Sequence, residues 1–340
     1  MDTLSSAYLQ KIVDNFNYLK EIQGKTILVT GGTGFIGSSI IKILLLLNAQ
    51  KKADIKIVGL ARNSSKVASM GFSGNLSWIY QDMSERLALN QPVDYIIHTA
   101  SPTDSKYFIT NPVETINVST AGLNNILSFG AKSGCKSLVF LSSMEVYGTC
   151  EEDRFINENE FFSINPTNVR SSYSEGKRIL ECLCASYNAE FNLPVKIVRL
   201  CQTFGPGISK DDNRVFAQFG RSVCEGRDIV LSTKGETKRS YCSLIDAVLG
   251  IFCVLLKGEN GEAYNLASDN SYCSIYELAQ LFAKDTNSKV IIQEQKDNKY
   301  LSTIKFGLDT EKIKKIGFTS IEDLKTMVLV FKKYYNQFIL

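Results

Sequence analysis

Two short stretches carry residues that could do chemistry together. "YSEGK" holds Tyr173 and Lys177 four residues apart, and "LSSMEVYG" holds Ser143 and Glu145 two apart. On a helix, a spacing of four puts both side chains on one face. A free tyrosine titrates near 10. To act as a base near neutrality it must fall by about 3 units, or roughly 4 kcal/mol of preference for the phenolate. A neighbouring ammonium and a second positive charge would supply that preference. Ser143 would donate a hydrogen bond to a substrate oxygen as negative charge grows on it. Glu145 stays open between two roles. It either takes a proton from carbon or serves as a hydrogen-bonding residue.

The elements that must position these residues follow from hydrophobic periodicity. Apolar residues at 4, 8, 12, 16 and 19 predict an amphipathic helix over 4–22. Apolar, β-branched runs predict strands at 25–30, 54–60, 76–80, 93–100, 136–143 and 194–200. Helical stretches fall between them, to about Asn48, from about Pro112 to Lys132, and over 170–192. Strands that are nearly continuous apolar runs, alternating with helices, predict a parallel sheet covered on both faces. The fold class is therefore α/β, a doubly wound Rossmann-type sheet. After Leu200 the rhythm changes to loops with short helices and strands. The predicted division is 1–24 as a leading helix, 25–200 as the sheet domain, and 201–340 as a smaller substrate region. The helix near 244–257 is expected to pack back on the sheet. YxxxK is common by chance, and its weight here comes from standing after the fifth strand.

"GGTGFIG" follows the first strand and opens a helix. Gly31, Gly34 and Gly37 allow a tight turn and close approach to a pyrophosphate, and the helix start at Phe35 and Ile36 offers backbone NH groups. This predicts a dinucleotide cofactor. An oxidised nicotinamide is then the second positive charge near Tyr173, and the reaction is hydride transfer at a carbinol carbon. The second strand ends "GLARNSSK", with no acid for a ribose 2′-hydroxyl. Arg62, with Asn63, Ser64 and Lys66, would suit a 2′-phosphate, so NADP is expected over NAD. The alternative for Arg62 is a solvated loop residue. Asp82, after the third strand, either meets the adenine amine or caps a helix.

Composition excludes other classes. A net charge of +3 over 340 residues, with no long basic cluster, argues against nucleic acid. The apolar run "IIKILLLL" is too short to span a bilayer. The single histidine, His98, makes zinc sites and Ser-His-Asp hydrolysis poor fits, and no metal is expected. His98 itself suits a packed core residue. Nine scattered cysteines, with no CxxC pair, predict a reducing, cytoplasmic setting. Cys182 and Cys184 on the 170–192 helix are expected in core and interface.

Taken together, "GGTGFIG", "HTASP", "SSMEVYG", "YSEGK", "RLCQTFGPG", "DDNRVF", "KRSYCSLIDAV" and "LDTEKIKKIGF" resemble an extended short-chain dehydrogenase/reductase. The resemblance is to the nucleotide-sugar epimerase/dehydratase family and covers roughly residues 25–320. Two segments look most similar to UDP-glucuronate decarboxylases, "HTASPTDSKYFITNPVETI" and "NPTNVRSSYSEGKRILECLC". The resemblance implies a homodimer and a nucleotide-diphosphate sugar as substrate. It implies that Thr99 and Ala100, with Tyr173 and Lys177, line the cofactor. It assigns Ser101 and Gln202 to the sugar, and Arg214 and Arg239 to the diphosphate, where arginine forks suit phosphate oxygens. Gln202 stands where the family usually has asparagine. Gly207 stands where the decarboxylases have arginine.

Dehydratases of the family read Thr-Asp-Glu where this chain reads Ser143-Met144-Glu145. Methionine has no acidic proton to give a leaving hydroxyl. The leading expectation is a reductase of 4-keto-6-deoxy nucleotide sugars, which needs only Ser143, Tyr173, Lys177 and reduced cofactor. Glu145 then binds or packs. An epimerase, decarboxylase or 4,6-dehydratase with internally recycled cofactor is the alternative. A non-catalytic dinucleotide sensor is the alternative from another class.

Overall fold

The computed structural model describes residues 3–101, 105–294 and 303–338. Seven strands form its central sheet. They are β1 (Thr26–Thr30), β2 (Lys56–Ala61), β3 (Leu76–Tyr80), β4 (Tyr95–His98), β5 (Ser137–Ser143), β6 (Val195–Leu200) and β7 (Ala263–Leu266). Their order is β7-β6-β5-β4-β1-β2-β3, and every neighbouring pair is parallel. The direction of winding reverses between β1 and β4. That reversal opens a crevice at the carboxyl ends of the strands, where open α/β sheets bind ligands.

Both faces are covered, which is why the strands read as unbroken apolar runs. Successive residues of β1 point to opposite faces. Ile27 and Val29 join one core with α2 (Phe35–Lys51) and α5 (Leu244–Lys257). Leu28 joins the other, with Leu123, Ile126 and Leu127 of α3 (Pro112–Ser133) and Leu180 and Cys184 of α4 (Ser171–Phe191). α5 is apolar all round because it is buried all round. Among the described residues no helix is long and apolar enough to cross a membrane.

Three features differ from, or extend, the expectation. The leading helix is not continuous over 4–22. α1 (Thr3–Asp14) stops, and a separate turn of helix covers Leu19–Ile22. Asn15 donates its side-chain amide to the Lys11 carbonyl, and Phe16 turns inward to meet Phe252 edge-on at 4.9 Å. Burying that ring outweighs continuing the helix. α1 lies on the same chain's α2 and α5, with Tyr8, Leu9, Ile12 and Val13 buried. The Tyr8 hydroxyl donates to the buried Glu322, which also pairs with Lys11 at 2.8 Å. Lastly, the region after Leu200 contributes β7 to the main sheet, beyond the six strands expected. α5 packs back on the sheet as expected, and another part of that region builds its own aromatic core around Phe204, Phe216, Phe282 and Phe331.

Candidate active site

The glycine loop is closed tightly enough to exclude side chains. Gly31 has φ +65°, and a Cβ there would lie 2.8 Å from Thr99 Oγ1 and 2.9 Å from the Ala100 nitrogen. A Cβ on Gly37 would lie 2.4 Å from the Gly31 carbonyl oxygen. No side chain caps the start of α2, so its first NH groups face the crevice unblocked by their own chain. The ends of β1 and β4 are stitched together beside it, with the Thr99 hydroxyl donating to the Thr30 carbonyl at 2.8 Å. This cradle fits the pyrophosphate of a dinucleotide. Gly32 was not singled out in the sequence, yet a Cβ there would strike the Trp78 ring at 2.8 Å.

Arg62 and Asp82 sit at the ends of β2 and β3, 3.7 Å apart, and the arginine is 71% exposed. Asp82 accepts from the Ser84 NH at 2.9 Å and the Ser84 hydroxyl at 2.7 Å. Those bonds, with Arg62 behind them, hold its carboxyl below the usual range. It braces a turn and caps no helix. Asn63 caps the short helix Ser64–Ser69 by accepting from the Lys66 NH at 2.9 Å, so its side-chain oxygen is committed locally.

Tyr173 and Lys177 project from the first turns of α4 toward the end of β5. Lys177 is buried, donates to the Leu141 carbonyl at 2.9 Å, and lies 5.7 Å from the Tyr173 ring centre. Burial lowers its ammonium to about 8. The phenol moves opposite to the expectation for a base. Burial pushes Tyr173 up to about 12, and the Ser143 hydroxyl pulls only partly the other way. Phe108, absent from the sequence reading, stacks on Tyr173 at 4.2 Å and 11°. Ser101 lines a small cavity with Tyr173 and Lys177. His98 is buried behind this group, its Nδ1 2.9 Å from the Thr30 hydroxyl, and burial lowers it to about 3.

Ser143 ends β5 and starts a short turn, Met144–Tyr147, where its hydroxyl accepts from the Glu145 NH at 3.3 Å. Met144 is buried in the main core. Glu145 instead reaches Arg239, Oε1 to Nη1 at 3.3 Å. Arg214 is gripped by Asp212, with Nη2 to Oδ2 at 2.6 Å, and lies over the Phe216 ring. Gln202 lies on the strand Gln202–Phe204, paired with Tyr241–Ser243, and its buried side-chain oxygen has no hydrogen-bond partner. Gly207 has φ +102°, which disfavours arginine there whatever the space.

The largest omission of the sequence reading is a buried network behind Ser143. Glu181 accepts three hydrogen bonds from Arg199, two of them sharing Nε, and one from Ser142. Arg199 also donates to the Tyr147 hydroxyl and the Glu158 carbonyl. No local signal joins residues this far apart. Asp212 was findable, since it stands two residues before Arg214.

The sequence profile of the NAD dependent epimerase/dehydratase family matches residues 27–267. UDP-glucuronic acid decarboxylase 5 of Arabidopsis thaliana is 30% identical over 272 residues, 78% of this chain and 76% of that protein. UDP-glucuronic acid decarboxylase 6 of the same plant is 31% identical over 259 residues, 75% and 72% of the two chains. The UDP-glucose 4-epimerase of Thermotoga maritima, solved with UDP-glucose, superposes with a TM-score of 0.79 at 21% identity, over 93% of this chain and all of that one. The dTDP-glucose 4,6-dehydratase of Streptomyces venezuelae, solved with NAD, gives 0.76 at 21% identity, over 92% and 97%.

Proposed function

The chain belongs to the NAD dependent epimerase/dehydratase family, and from that premise we propose an NADP-dependent reductase of 4-keto-6-deoxy nucleotide sugars. The observation that carries this reading is Met144 packed in the core between Ser143 and Glu145, where the family's dehydratases hold an acid. A phenol raised to about 12 holds its proton throughout the neutral range. A ketone that becomes an alcohol needs one proton on its oxygen, and Tyr173 is a donor in the right state. Ser143 shares that oxygen as negative charge grows on it. Lys177, beneath the ring, replaces the lost proton's charge as the phenolate forms. A bound nicotinamide dinucleotide supplies the hydride, and Gly31, Gly34, Phe35, Ile36, Gly37, Thr99 and Ala100 would hold it. Arg62, with no acid at the end of β2, is the residue for a 2′-phosphate.

For the substrate, Arg214 and Arg239 would take the diphosphate, and Ser101 and Gln202 the sugar. The unpartnered oxygen of Gln202 supports a polar ligand there. Met144 in the core leaves no acid to expel a hydroxyl, and Gly207 leaves no arginine for a sugar carboxylate. We also propose a homodimer through α3 and α4, where Val113, Ile116 and Ile179 are exposed. Nine free cysteines agree with a cytoplasmic setting.

A second reading is internally recycled redox, as in a decarboxylase or epimerase. Similarity to the decarboxylases and the presence of Glu145 favour it. One experiment separates the two. The protein is incubated with NADPH or NADH and a panel of nucleotide sugars, including 4-keto-6-deoxy forms, while cofactor absorbance and product mass are followed. Stoichiometric loss of NADPH with a gain of two hydrogens is expected. Loss of carbon dioxide or water, or an isomer of equal mass, with no net cofactor change would replace the reductase by the second reading.

A further inference from the structure

Both arginines of the proposed diphosphate site are engaged by carboxylates of the same chain, in two different ways. Asp212 lies two residues from Arg214 and also accepts from the Arg214 NH at 2.9 Å, so it braces the arginine locally. Glu145 comes from a different element, 94 residues away in sequence, and touches Arg239 through one contact of 3.3 Å. That pair is shielded, with the two side chains 16% and 33% exposed. Glu145 also stands beside the proposed catalytic serine, its NH donating to the Ser143 hydroxyl at 3.3 Å.

We propose that Glu145 occupies Arg239 as a stand-in for the diphosphate, and that a bound diphosphate displaces it toward the sugar. This rests on the nucleotide-sugar reading above. A guanidinium fork accepts phosphate oxygens as readily as a carboxylate. A diphosphate brings more negative charge than the single carboxylate, and it repels that carboxylate at short range. Exchange therefore moves Glu145 off the arginine. A sugar lacking the diphosphate leaves Glu145 tied to Arg239, so its carboxylate is released to hydrogen-bond the sugar only when the whole nucleotide sugar is bound. The contact thus makes Glu145 a determinant of substrate class.

The test measures binding without turnover. UDP and dTDP, each without a sugar, are titrated by calorimetry into the full chain and into Glu145→Gln. Removing the charge that competes for Arg239 should tighten nucleotide binding about fivefold, the size expected for a partly exposed ion pair. An Arg239→Gln background should erase that gain. Glu190→Gln makes the same change of net charge at the exposed far end of α4, roughly 25 Å along the helix from Tyr173, and should leave affinity unchanged. A merely structural Glu145 would give equal or weaker binding when replaced. That result overturns the proposal and leaves the nucleotide site standing. No binding of either nucleotide to any variant overturns both.

Discussion

Replacing Glu181 by glutamine should destabilise the protein by about 3 kcal/mol, because it leaves a buried guanidinium without its counter-charge. Side chains of Arg199 and Glu181 are 5% and 11% exposed, so water offers little screening. Removing one partner of such a pair costs about 3–5 kcal/mol. The lower end applies here because Arg199 keeps neutral acceptors, the Tyr147 hydroxyl at 3.0 Å and the Glu158 carbonyl at 2.7 Å. It also keeps the faces of Tyr147 and Phe161, at 4.9 and 5.1 Å. Glutamine preserves volume, so no cavity enters the comparison. The assay is urea unfolding followed by far-ultraviolet circular dichroism and by fluorescence of Trp78, the single tryptophan. The two probes must coincide before a free energy is taken. With a slope of about 3 kcal/mol per molar, the midpoint should fall by about 1 M. A fall under about 0.3 M would place the pair in the class of solvent-screened surface bridges and refute the reasoning. A Glu181→Leu, Arg199→Met double variant should recover most of the loss, since apolar residues of similar size need no counter-charge.

Three further outcomes are expected. Tyr173→Phe should lower kcat by about 10²–10⁴-fold while cofactor binding, read by fluorescence quenching, stays intact; surviving activity would remove Tyr173 from the proton path and would fit no reductase. Arg62→Ala should weaken NADPH by about 10–100-fold, the loss of charged hydrogen bonds to a phosphate, and leave NADH unchanged; equal loss of both would return Arg62 to a solvated loop. His98, the one histidine, should show no proton NMR titration between pH 5 and 8, because burial lowers it to about 3. Its folded pKa lies below the unfolded value of about 6.5, so its contribution to stability is complete above that pH and is lost as pH falls toward 3. An inflection near 6.5 would mean that the ring is solvated.

Sequence alone determined what depends on neighbours in the chain. Apolar runs such as "KTILVT" and "KSLVFLSS" marked strands buried on both faces, and the glycine triplet at 31, 34 and 37 marked a tight turn, two of whose positions, 31 and 37, admit no side chain. The four-residue spacing put Tyr173 and Lys177 on one helical face. These are local consequences of backbone geometry and burial. Tertiary packing decided the rest. It broke the leading helix at Asn15, because Phe16 gains more by burial against Phe252 than by continuing the helix. It brought β7 beside β6, which no periodicity near residue 263 announces. It set the proton inventory, since burial raised Tyr173 and lowered Lys177, and burial depends on the whole fold. It also paired Glu145 with Arg239 across 94 residues. Charges interact through space, and the chain order of these residues carries no record of that distance.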